Sequence, residues 1–467
     1  MSLSSGTHGV IIVHGFGDQK KGDLLADFSK ALCDTLIDSP EGGKCPKIQL
    51  KSDVSGSPPT VTLQITSPYG EEATWLCREA FWNDAFPPPQ PTQVLLWALH
   101  QNLPDQLRSF LRMLRDPLNE DLPTAIEREK EEDKKKNNIV TTGVVTLSKK
   151  TRLPVRVKSG VVSGIVIIPL ALLIYILLIL IWLAHFIHLP IFGTLDKIIG
   201  WILKADPFIS TSFGDVKRYT DHQIWSANAR ARLENIVIGM LHDCDIKDIT
   251  IVAHSLGAVL AYDALTEGGN IAEAVAKLEA SARKKITFIT VGAGINRVFS
   301  ILLRPDSRKS RHNKTDEVRC DDSPVNNRLA KVITGCGDDK YTGALEDKFF
   351  WLDIFARRDP VPAGPIAEKI VKIANINPKS QMKEREVINK DNVVFDHVSY
   401  WENKELVMPR IVRAINGGKE YPWKQAGITE EKVLKRIQIA LRFVNWSEII
   451  LFLITVGVIA FLYLKLT

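Results

Sequence analysis

Apolar and polar positions follow two periods along this chain, and the periods take turns. Residues 9–13 are a short apolar run, Gly-Val-Ile-Ile-Val, closed by His14-Gly15-Phe16-Gly17-Asp18. Over residues 23–38 the apolar positions become Leu24, Leu25, Phe28, Ala31, Leu32 and Leu36, the spacing of a helix that buries one face. Strand, glycine turn and helix follow in that order. Residues 60–66 alternate as a half-buried strand does, and residues 94–99 form another apolar run. Between them, residues 71–86 are dense in aromatics and are stopped by Pro87, Pro88 and Pro89. This stretch reads as a core-packing helix ended by prolines.

The same alternation returns further on. It predicts a helix over 227–242, a strand over 249–253, a helix over 256–266 and strands over 286–291 and 349–355. Val393-Val394-Phe395 is a last apolar triplet before Asp396-His397. Strands alternating with helices imply a mostly parallel sheet flanked by helices, the α/β class. No internal repeat interrupts the order.

Two stretches break this pattern by being apolar throughout. Residues 161–184 contain no charged residue, and residues 449–464 lie close to the last residue given. A membrane span needs about 20 apolar residues, a length the first has and the second reaches with its flanks, 446–466. A mixed-charge run at 127–138 precedes the first stretch and reads as a solvated helix or linker.

Composition narrows the field further. The chain has 467 residues, 45% hydrophobic and 24% charged, enough to bury a large core. A net charge of +6 from 60 basic and 54 acidic residues argues against a nucleic-acid binder. The six cysteines (Cys33, Cys45, Cys77, Cys244, Cys320, Cys336) form no CxxC pair, so they read as reduced thiols. His185 and His188 have no acid or cysteine at metal-ligand spacing, so neither a metal nor a cofactor is expected. The first residues carry no basic segment before an apolar one, so no secretory signal is expected.

The chemistry concentrates at Ile249-Thr250-Ile251-Val252-Ala253-His254-Ser255-Leu256-Gly257, an apolar strand meeting a small-x-Ser-x-Gly turn that continues as helix. Such a turn holds a serine hydroxyl above a sheet, and the small residues on either side let neighbouring backbone pass. With Val13-His14-Gly15-Phe16-Gly17 after the first strand, the chain resembles the lipase and esterase-like members of the α/β-hydrolase superfamily. Ala253, where the usual pattern has glycine, is a mild departure.

The resemblance implies an α/β-hydrolase fold in which the backbone N–H groups of Phe16 and Leu256 hold an oxyanion, with His14 shaping the loop. It also implies the chain order serine, acid, histidine. Asp359, in Arg-Asp-Pro-Val-Pro, and His397, followed by Ser399-Tyr400-Trp401, satisfy that order after Ser255. Asp353 is the rival acid, but it lies inside the apolar strand, where an unpaired carboxylate is costly.

The domain reading that results has four parts. Residues 1–145 and 206–442 are the two parts of the hydrolase domain, 146–205 an inserted membrane segment and 443–467 a C-terminal membrane helix. Residues 296–340 are the best lid candidate, and the basic cluster 304–314 within them could meet anionic lipid headgroups. The expected function is a serine hydrolase acting on carboxylic esters, with the membrane segments pointing to lipid. A thioesterase, an amidase or a non-enzymatic membrane scaffold remain alternatives. Nothing in the pattern names a protein partner.

Topology follows from a conflict. The strand at 10–13 precedes the first apolar stretch and the Ser255 strand follows it, yet one sheet cannot straddle a bilayer. The chain must therefore return before Ile249, through 190–203, as a hairpin or an interfacial segment. Lys149, Lys150, Arg152, Arg156 and Lys158, and later Lys432, Lys435, Arg436 and Arg442, precede the two apolar stretches. They place the catalytic domain on the cytoplasmic side.

Overall fold

The computed structural model describes residues 3–15, 19–37, 45–53, 55–86, 216–220, 223–266, 270–279, 282–302, 348–356, 359, 361–362, 364–366, 370, 381–387, 389–390 and 396–418. Phe16, the strand expected at 94–99, the charged run, both apolar stretches, the basic cluster and the triplet 393–395 lie outside them. No helix among the described residues is long and apolar enough to cross a membrane.

Eight strands form one sheet: β1 (Gly6–Val13), β2 (Lys47–Asp53), β3 (Thr60–Thr66), β4 (Glu72–Glu79), β5 (Ile246–His254), β6 (Lys285–Val291), β7 (Phe349–Ala356) and β8 (Met382–Val387). Their order across the sheet is β2-β3-β4-β1-β5-β6-β7-β8. The pairs from β4 through β8 are all parallel, and β2-β3-β4 are antiparallel. The chain is thus an α/β protein with a mostly parallel sheet.

Helices cover both faces. On one side lie α1 (Asp23–Ile37) and α6 (Met408–Ile415), and on the other α2 (Gln223–His242), α3 (Leu256–Thr266), α4 (Asn270–Lys277) and α5 (Ile295–Leu302). Pleating sorts the side chains between them. Val10 and Ile12 join the core with Leu25, Phe28 and Leu32 of α1, whereas Ile11 and Val13 join the core with Leu233 and Val237 of α2. A strand buried on both faces needs apolar residues at consecutive positions, which is why 9–13 and 249–253 read as unbroken apolar runs.

The stretch 71–86 corrects the expectation of a helix. It is strand β4 followed by a 3-10 turn, Asn83–Ala85. Along β4 the buried residues are Ala73, Trp75, Cys77 and Glu79, a strict period of two, with Trp75 paired to Leu63 of β3 and His8 of β1. The aromatics at Trp75, Phe81, Trp82 and Phe86 had imitated helical spacing, but they belong to two successive structures.

Strands β2 and β8 were not anticipated. They sit at the two edges of the sheet that the described residues form, and sequences such as Met-Lys-Glu-Arg-Glu-Val carry little apolar signal. β8 is the described strand before His397. Helices α4, α5 and α6 are eight residues each, too short for periodicity to stand out. α5 also occupies the start of the segment proposed as a lid, whose remainder lies outside the described residues.

Phe86 and residues 216–220 flank residues 87–215, and the two flanks touch. The Phe86 and Tyr219 rings lie 6.5 Å apart, and the Arg218 guanidinium stands 5.8 Å from the Phe86 centroid. The described residues on either side of 87–215 are therefore held close to each other.

Candidate active site

The parallel strands deliver their C-terminal ends to one edge of the sheet, where ligand sites of open α/β sheets lie. Val13, His254, Val291 and Ala356 end β1, β5, β6 and β7, and the loops after them carry Gly15, Ser255, Gly292 and Asp359.

Ser255 sits at the turn between β5 and α3 with φ of 56°, the left-handed region, as no other non-glycine among the described residues does. A serine in that region is strained. The turn is fixed by Ser255 N–H donating to Val291 O at 3.1 Å and by Ser255 O accepting from Gly294 N–H at 3.1 Å. Gly257 has to be glycine: a Cβ there would overlap the His14 carbonyl oxygen and come within 2.8 Å of Val13 O. At Gly15 a Cβ would stand 2.7 Å from Ser255 Cβ. Ala253, fully buried, is paired with Val13 and Thr290 on its two sides.

The three residues singled out by chain order meet here. His397 Nε2 lies 2.9 Å from Ser255 Oγ, and His397 Nδ1 lies 2.8 Å and 3.0 Å from the two Asp359 oxygens. A carboxylate at Nδ1 requires the proton on that nitrogen, so Nε2 is left to accept from the serine hydroxyl. All three side chains are buried. Asp359 also accepts Val361 N–H at 2.8 Å and the Tyr400 hydroxyl at 2.7 Å.

Asp353 is elsewhere. It is fully buried within β7 and accepts the Thr290 hydroxyl at 2.6 Å, while burial pushes its carboxyl up to about 7. His397 takes Asp359 and not Asp353.

His14 shapes the loop after β1. Its Nδ1 donates to Gly15 O at 2.8 Å, its Nε2 accepts Trp82 N–H at 3.1 Å, and its ring stacks on Trp82 at 4.8 Å. Burial lowers it to about 4, which keeps it neutral. Leu256 N–H belongs to the first turn of α3, whose amides have no partner within the helix. Phe16, the other expected oxyanion donor, lies outside the described residues.

Three neighbours escaped sequence reasoning. His254 Nε2 lies 2.9 Å from the His397 carbonyl oxygen, and its ring stacks on that of His397 at 4.7 Å. Burial and then the His397 charge lower it to about 3, so it is neutral and donates that bond. Tyr400 reaches Asp359. Glu79, buried at the end of β4, accepts Gly22 N–H at 2.5 Å just beyond the glycine loop, and burial lifts it to about 7. His254 and Tyr400 stand inside recognised motifs, but their contacts depend on ring orientation.

Of the other histidines, His8 is buried against Ser4 O at 3.1 Å, and His100, His185, His188 and His222 lie outside the described residues. Cys33, Cys45, Cys77 and Cys244 are free thiols. No cluster of three or more His, Cys, Asp or Glu side chains among the described residues could hold a metal. No family model matches this chain, and no curated protein or solved structure matches it either.

Proposed function

We propose that this chain is a membrane-bound serine hydrolase that cleaves carboxylic esters, with Ser255 as nucleophile, His397 as general base and Asp359 as the acid that orients it. The observation that carries the reading is the continuous relay from Ser255 Oγ through His397 to Asp359, on a serine held at φ of 56°. A scaffold has no need for a strained serine in contact with a base. Within the α/β class, a serine turn after β5 and a glycine loop after the adjacent β1 support the α/β-hydrolase fold in particular.

The proposed reaction uses that relay in two halves. Ser255 Oγ attacks the ester carbonyl carbon while its proton passes to His397 Nε2, and Asp359 stabilises the imidazolium that forms. The carbonyl oxygen becomes an oxyanion held by the backbone amides of Leu256 and Phe16, each donor contributing about 10²–10³ in rate. His397 returns the proton to the departing alcohol, leaving an acyl-Ser255. Water then attacks the acyl carbon with His397 again as base, and the carboxylic acid departs.

Lipid is the substrate class favoured by the apolar stretches 161–184 and 449–464, since an enzyme held at a bilayer meets lipid at high local concentration. The contact of Phe86 with Tyr219 supports an insertion that enters and leaves the membrane on one side. The catalytic domain then faces the cytoplasm, dipped into the bilayer by 161–203 and anchored by 446–466.

The test is covalent labelling of the full chain in membranes with a fluorophosphonate probe, which reacts only with an activated serine. Labelling in the wild type, and its loss in Ser255→Ala with an unchanged fold, is expected. An unlabelled wild type, or equal labelling of Ser255→Ala, refutes the reading.

A further inference from the structure

We propose that Tyr400 is a positioning residue of the Ser255-His397-Asp359 relay, its buried hydroxyl fixing the orientation of the Asp359 carboxylate. The inference rests on the serine-hydrolase reading. It assigns a role to a side chain that the relay itself does not require.

The geometry determines where the hydroxyl proton goes. Ala356 N–H, at the end of β7, donates to Tyr400 Oη at 2.8 Å. With that acceptor position taken, the hydroxyl proton points along the 2.7 Å contact to Asp359 Oδ2, the oxygen nearest His397 Nδ1. Asp359 therefore accepts from His397, Tyr400 and Val361 N–H together. A carboxylate with three donors cannot rotate away from the imidazole. Tyr400 is fully buried, so water cannot replace its hydroxyl.

The surroundings are built around this contact. Gly292, with φ of +58°, directly follows β6, and a Cβ there would meet Tyr400 Cε2 at 2.7 Å and Asp359 Oδ2 at 2.9 Å. Only glycine lets both groups reach that point. The titratable neighbours are His254, stacked on His397, with His14 and Asp396 further out. His254 is neutral at any ordinary assay pH. Burial and the Asp359 charge both push the Tyr400 phenol well up, so it remains a donor throughout.

Removing the hydroxyl leaves the volume filled and takes one donor from Asp359. The less stabilised carboxylate pairs more strongly with the imidazolium, so His397 should hold its proton to higher pH. For Tyr400→Phe in the full chain, assayed with p-nitrophenyl butyrate, we expect kcat to fall roughly ten-fold with KM within about two-fold. The acid limb of kcat/KM should move up by about half a pH unit. Gly292→Ala, which crowds the same contact, should move both quantities in the same direction. Rates are taken per serine titrated by a fluorophosphonate probe, so a lower folded yield changes neither. A wild type that labels, beside a Tyr400→Phe enzyme with unchanged kcat and acid limb, overturns the role of Tyr400 and leaves the hydrolase reading standing. A wild type that does not label removes both.

Discussion

Asp353→Asn separates the two carboxylates between which the sequence had to choose, and it does so through stability as well as activity. Asp353 is fully buried in β7, with one oxygen on the Thr290 hydroxyl at 2.6 Å and the other, Oδ2, without a hydrogen-bond partner among the described residues. Burial lifts it from the usual 3.8 to about 7, with the charge of Glu384 on β8 adding in the same direction. Three units correspond to a ceiling of about 4 kcal/mol between the charged and neutral forms. Because the folded value lies above the unfolded one, the native state favours the protonated acid. The stabilisation is fully present below the unfolded value and is lost as pH rises towards 7. From pH 5 to pH 8 the wild type should therefore lose about 2–3 kcal/mol through this one group. Asparagine does not titrate, so the variant should gain that amount relative to wild type over the same interval, whatever its offset at pH 5. Urea unfolding in nonionic detergent, followed by tryptophan fluorescence at the two pH values, measures the double difference. Hydrolysis of p-nitrophenyl butyrate at pH 7 should stay within about three-fold of wild type, since Asp353 does not touch His397. Parallel stability curves would refute the burial argument, and a loss of turnover comparable to that of Asp359→Asn would refute the choice of acid.

Other perturbations address the relay, the elbow and the topology. Asp359→Asn and His397→Ala should each reduce turnover on the order of 10³ or more, read as ester hydrolysis per folded molecule; residual activity within ten-fold of wild type contradicts the relay. Gly257→Ala places a Cβ against the backbone oxygens of His14 and Val13, which cannot retreat without parting β1 from β5. It should lower the thermal midpoint, by the equivalent of about 1–3 kcal/mol, and abolish fluorophosphonate labelling; a labelled variant of normal stability argues against the close approach. Epitopes inserted near Lys135 and near His312 should both be digested by protease added to the cytoplasmic side of sealed vesicles. Protection of one alone would show that 161–203 crosses the bilayer an odd number of times.

What the sequence made legible depends on how local the physical cause was. α1, β3 and α3 emerged within a residue of the expected bounds, because each carries its own periodicity. Ser255, Asp359 and His397 were legible for a different reason: the resemblance implied their order along the chain, and a parallel sheet gathers the ends of its strands, and so the loops after them, at one edge. β4 was misread because its aromatics continue into the next turn, and β2 and β8 because an edge strand owes its shape to the neighbour it pairs with. The positions of Tyr400, His254 and Glu79 escaped entirely, since a hydroxyl 2.7 Å from a carboxylate leaves no periodic trace.

One long-range property did come from the sequence, and it came by contradiction. A strand before the first apolar stretch and a strand after it were expected to share one sheet. β1 and β5 are indeed neighbours, from Thr7 paired with Ile246 to Val13 paired with Ala253. Next to the first residues described after 215, Tyr219 donates to Asp263 of α3 at 2.5 Å and packs on Phe86. Phe86 in turn meets Trp82 edge-on at 5.6 Å, and Trp82 is the residue stacked on His14. The attachment of 87–215 thus lies two aromatic contacts from the loop after β1, on the same side of the sheet as α3. On the proposed reading, a membrane met by 161–203 would lie towards the Ser255 edge of the sheet, which is where an enzyme acting on lipid would need it.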